Sequence, residues 1–148
     1  MTLQFQVQLD YGVAGDAVLQ CDLPRYLAVL LRVAGIHEVS VAERNAAAAT
    51  AYTLADESVR QAAFAYSDGV PAEWGELLAP LRHPQVAACL FRDCCQVAWA
   101  DGDLDPIEQD VLLQIAHDLQ IPDFLRDQVL VAVEEQELAR LRILSLFS

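Results

Sequence analysis

From Pro24 to the end of the chain, apolar residues recur at helical spacing, and nearly every recurrence is opened by a proline or a capping residue. Pro24 suits a first helical position, Tyr26, Leu27, Leu30, Leu31 and Ala34 follow in phase, and Gly35 is the stop. Ser40 opens a second helix through the Ala-rich run Ala46 to Ala49, ending near Leu54. Asp56 to Tyr66 reads as a third, closed by Ser67-Asp68-Gly69. Pro71 to Leu81 and the strongly apolar Pro84 to Trp99 follow. Asp105 to Leu119 carries the stripe Ile107, Val111, Leu112, Ile115, Ala116 and Leu119, and Pro122 opens a last helix running past Leu141. The expected fold is all-α, a compact bundle of about seven helices with short connections. A chain of 148 residues with 55% hydrophobic content builds one such domain over 1–148.

The two ends of the chain have a different pattern. Leu3, Phe5, Val7, Leu9 and Tyr11 alternate, which predicts a strand with one buried side. Gly12 to Asp16 would turn the chain and Ala17 to Cys21 return it, giving a short β-hairpin extension over 1–22. A lone hairpin is only marginally stable, so this one is expected to lie on the bundle or pair with another chain. The C-terminal LRILSLF either docks on the bundle or presents an apolar patch. Pairing of these apolar ends between copies would make a homodimer.

A shift of 65 positions lays one helix–loop–helix on another. Val39 meets Leu104, Ser40 meets Asp105, Glu43 meets Glu108, Ala51 meets Ala116 and Leu54 meets Leu119. Ser40-x-x-Glu43 and Asp105-x-x-Glu108 carry the same helix-start signal. The bundle therefore reads as two related helical hairpins.

Charge and side-chain inventory exclude several functions. Asp plus Glu number 22 against 9 Lys plus Arg, a formal charge of −13, which repels phosphate backbones and anionic lipid. Nucleic-acid binding is not expected, and protein partners or metal cations are. All basic residues are Arg, so Schiff-base, P-loop and general-base lysines are excluded. Cys21, Cys89, Cys94 and Cys95 form no CxxC pair and read as reduced thiols in or near the core. Trp74 and Trp99 are expected in core or rim packing, and His37, His83 and His117 as solvated residues. No run of 18 apolar residues and no signal-peptide pattern is present, so a cytoplasmic location without membrane insertion is expected.

The chemistry concentrates in ADGDLDPIEQD, Ala100 to Asp110, where Asp101, Asp103, Asp105, Glu108 and Asp110 have no compensating base. An EF-hand loop would need Gly where Pro106 stands and Glu where Leu112 stands, so this is not one. Asp105, Pro106 and Glu108 make a helix start in their own right, and acids there suit the helix dipole. The acids thus either cap and solvate the turn or hold a divalent cation, Ca²⁺, Mg²⁺, Mn²⁺ or Zn²⁺.

The apolar helix, the ADG turn and the capped helix ending Ile115-Ala116-x-x-Leu119 resemble the TerB-like family of tellurite-resistance proteins. The unit is also similar to the N-terminal domain of a membrane-anchored DnaJ-like co-chaperone. The resemblance runs from Pro24 to the C-terminal helix and is sharpest over Val97 to Leu119. It implies an all-helical bundle of two similar halves, a role in the response to tellurite and other stresses, metal-binding acids and no established enzyme activity. The family's Asp-Gly falls on Asp101 and Gly102, and its helix-start acid on Glu108. In the first half the matching positions are Ile36 and His37, leaving Glu38 and Glu43 as the acids. The candidate metal set is therefore Asp101, Asp103, Asp105, Glu108, Glu38 and Glu43, with no catalytic residue and no other cofactor. The leading expectation is a non-enzymatic stress-response interaction module with an acidic surface. The alternative is a small metal-dependent hydrolase acting through Asp101, Asp103 and Glu108.

Overall fold

A computed structural model describes residues 11–35, 57, 73–100 and 102–147. Within them the regular structure is entirely helical. A 3₁₀ turn, Gly12–Ala14, leads into α1 (Gly15–Gln20), and α2 spans Leu23–Ala34. α3 (Trp74–Leu78) continues as a 3₁₀ turn over Ala79–Leu81. α4 (Pro84–Ala98), α5 (Pro106–Asp118) and α6 (Asp123–Ser145) complete the order. The expected helices over 40–54 and 56–66, and the Ser40/Glu43 half of the repeat, lie outside the described residues apart from Glu57.

α4 is the central element, packing against α1, α2, α5 and α6. Val86, Ala87, Leu90, Phe91, Cys94, Cys95, Val97 and Ala98 are all buried, so this helix is covered on nearly every side. Tyr26, Leu27, Leu30 and Val33 of α2, with Leu112 and Ile115 of α5, fill the same core. Trp74 and Trp99 are half-buried at its rim, and the Arg32 guanidinium stacks 4.3 Å above the Trp74 ring.

Helix ends follow local chemistry closely. Asp22 caps α2, its Oδ1 accepting from the Arg25 backbone N–H at 3.3 Å, so the helix begins one residue before Pro24. At the far end of α5, Gln120 has φ +61°. Its N–H donates to the carbonyl of His117 at 2.9 Å, while that of Ile121 donates to Ala116 at 3.0 Å. This pair of bonds is a Schellman closure, and the buried Ile121 supplies its apolar contact.

Two expectations are corrected. Ala17 to Cys21 is not a returning strand, because Ala17 to Gln20 belong to α1, and Tyr11 also has helical backbone (φ −119°, ψ −8°). Val18 of that short helix is wholly buried beside α4, so tertiary packing sets the local conformation. Leu3 to Asp10, the rest of the expected hairpin, lie outside the described residues.

Ile107 is not part of the α5 stripe and is 57% exposed. Successive helix positions turn by about 100°, which leaves Ile107 well off the arc of Leu112, Ile115, Ala116 and Leu119 and puts Glu108 on it. Of the two alternatives for the C-terminal apolar run, the structure takes the exposed one beyond the half-buried Leu141: Leu146 and Phe147 are 76% and 83% exposed.

Left-handed backbone at Gln120 is strained for any residue with a Cβ. Gln120→Gly should therefore raise the stability, by up to about 1 kcal/mol in urea unfolding once glycine's added unfolded-state entropy is deducted. An unchanged or lowered stability would show that the αL cap is not strained.

Candidate functional site

The acidic turn links α4 to α5. α4 closes with Trp99 N–H donating to Cys95 (3.0 Å), and Gly102 N–H donates back to the Trp99 carbonyl (2.8 Å). Gly102 has φ +88°, which glycine adopts without strain, and a Cβ there would meet Leu141 Cδ2 of α6 at 3.5 Å. The turn is thus seated against the C-terminal helix. Asp103 is exposed, and its Oδ1 accepts from the Leu104 N–H at 2.9 Å. Asp105 caps α5, its Oδ1 accepting from the Glu108 N–H at 2.8 Å, as the sequence pattern predicted. Glu108 is buried and Asp110 exposed.

The expected acids are thereby given different positions. Asp105 serves the helix start, Glu108 faces the core side and Asp103 faces outward. Asp101, Glu38 and Glu43 lie outside the described residues. Among the described residues no three His, Cys, Asp or Glu side chains group so as to hold a metal ion. Donor chemistry at the turn is all oxygen, which suits Ca²⁺, Mg²⁺ or Mn²⁺ better than a thiolate-seeking ion.

Cys89, Cys94 and Cys95 are buried and Cys21 is half-buried, all in the free form. Burial, reinforced by the charge of Asp22, pushes the Cys21 thiol up to about 12. Burial likewise raises the other three. At neutral pH they are protonated and behave as small apolar side chains rather than nucleophiles. His83 and His117 are exposed, as expected.

A second polar cluster lies inside the protein. Asp93, on the core helix α4, is 3% exposed. Its Oδ2 accepts from Tyr11 Oη at 2.7 Å and from Tyr26 Oη at 2.6 Å. Its Oδ1 accepts from Arg92 Nη2 at 3.1 Å, and the same guanidinium stacks 4.7 Å above the Tyr11 ring. Burial, then the Asp93 charge, lifts both phenols well above their usual value, so they remain donors. Burial also raises the Asp93 carboxyl, outweighing the Arg92 charge and the two hydroxyls that act to lower it. No sequence motif announces this cluster. The available signal is the charged pair Arg92-Asp93 inside the otherwise apolar stretch Leu90 to Cys95.

The described residues thus form a helical fold with an acidic helix-linking turn at its surface and a tyrosine–carboxylate cluster inside it. Residues 25–130 match the family model of the tellurite resistance protein TerB, most of the chain, and the protein belongs to that family. No curated protein and no solved structure matches it.

Tyr26→Phe removes a hydrogen bond to a buried charge and should cost about 2 kcal/mol in denaturant unfolding, with no loss of helicity. A cost within about 0.5 kcal/mol would contradict the bond's role. Because the folded-state pKa of Asp93 is raised, its proton stabilises the fold fully below the ordinary carboxylate range, and that contribution is lost as pH rises through the raised value. Measured against Asp93→Asn, the native chain should lose relative stability as pH climbs from about 4. A pH-independent difference would contradict the shift.

Proposed function

We infer that the protein is a non-enzymatic interaction module in the response to tellurite or related stress, working in the cytoplasm. The acidic turn and the first turn of α5 receive a cationic partner, either a divalent ion held by carboxylate oxygens or a basic protein surface. The observation carrying this reading is the position of the turn in a family member. Asp103 and Asp110 are exposed beside a helix start that Asp105 already caps, on a chain of net charge −13. The cap and the glycine turn hold the backbone in place, so charge is presented from a preformed surface. Family membership links the module to tellurite resistance, and no described helix is long and apolar enough to cross a membrane.

An amide NMR titration with Ca²⁺, Mg²⁺, Mn²⁺ and Zn²⁺ in turn, then with an oligo-arginine peptide, tests this. Saturable responses centred on residues 102–110, and lost in the Asp101→Asn/Asp103→Asn variant, are expected. Silence towards every cation and the peptide, or a response spread over the whole acidic surface and untouched by the variant, would overturn it.

A further inference from the structure

Val129, Ala132, Val133 and Gln136 of α6, with Ala88, Cys89 and Arg92 of α4, line an open, mainly apolar groove of about 520 Å³. The two helices run side by side in the same direction, and the Gln96 amide donates to Gln136 Oε1 at 3.0 Å. α4 then ends at Ala98, and the turn that follows reaches α6 at Leu141. Beyond that point α6 overhangs the bundle. At about 100° per residue, Arg140, Ile143, Leu144 and Phe147 continue the face that Val129, Val133 and Gln136 begin. In the overhang this face is uncovered, with Ile143 56% and Phe147 83% exposed.

One helix face therefore has two halves, a groove over 129–136 and an apolar ridge over 140–147, equal in length on either side of Leu138. We propose that a second copy of this chain covers it. The two α6 helices pack antiparallel about a two-fold axis level with residue 138, passing between Gln136 and Arg140 on the packed face, and the ridge of each fills the groove of the other. This register sets Ile143 against Ala132 of the second copy, Leu144 against Val133 and Phe147 against Val129. It also complements charge. Arg140 Nε donates to Glu137 of its own helix at 2.8 Å, and antiparallel pairing brings it beside the second copy's Glu137 as well. Parallel pairing would set Arg140 on Arg140. The same patch is used twice, so the assembly closes as a dimer rather than growing into a fibre.

Sedimentation equilibrium of the full chain over a wide concentration range tests it. The expected mass rises from 16.3 kDa towards twice that value. Ile143→Asp, at an exposed position, should weaken the dimer by about tenfold or more while circular dichroism is unchanged. Ala132→Arg added to Ile143→Asp should restore dimerisation, because Ala132 is also exposed and the register places the new pair of opposite charges together. A mass of 16.3 kDa at every concentration would overturn the proposal and leave the face to a different partner. A dimer indifferent to Ile143→Asp would overturn it too, and dissociation without rescue would overturn the antiparallel register.

Discussion

A carboxylate at 3% exposure in the most enclosed of the described helices is the constraint around which the described structure is arranged. Removing an ionised carboxylate from water is expensive unless hydrogen bonds and charge replace the lost solvent. Asp93 obtains them from two distant parts of the chain: Tyr11, at the start of the described N-terminal turn, and Tyr26, in α2. Arg92 contributes both an ion pair and the cation above the Tyr11 ring. An otherwise non-directional apolar core thus gains one directional point, which fixes how α2 and the N-terminal residues seat on α4.

This arrangement explains which parts of the fold were legible. Signals that act within a few residues survived: the Asp105 cap, the proline-led starts of α4 and α5, the glycine turn at 102 and the enclosure of α4 by its own apolar run. Where a neighbour outside the local pattern decides, the signal failed. Ala17 to Cys21 was too short to distinguish strand from helix without knowing that Val18 is buried beside α4. Asp93 finds partners 67 and 82 residues away, and no spacing rule connects them.

At the acidic turn the sequence located the charged residues but not their division of labour. Five acids in eleven positions suggested a single cluster, whereas the structure uses Asp105 as a cap, buries Glu108 and leaves Asp103 and Asp110 outside. Helix starts favour acids for reasons of capping and dipole, so an acidic run there serves structure and surface charge together. Gly102 against Leu141 ties that turn to α6, whose overhang carries the largest exposed apolar side chains at the C-terminus. The periodicity of α6 was readable, but the point at which α4 stops covering it was not.

The most direct test of this account is a double-mutant cycle joining Tyr11→Phe and Asp93→Ala, with each stability measured by urea unfolding. If Asp93 fastens the N-terminal residues to α4, the two changes will be coupled by about 1 kcal/mol or more. Additive effects, within about 0.5 kcal/mol, would mean that the carboxylate does not organise the helices around it.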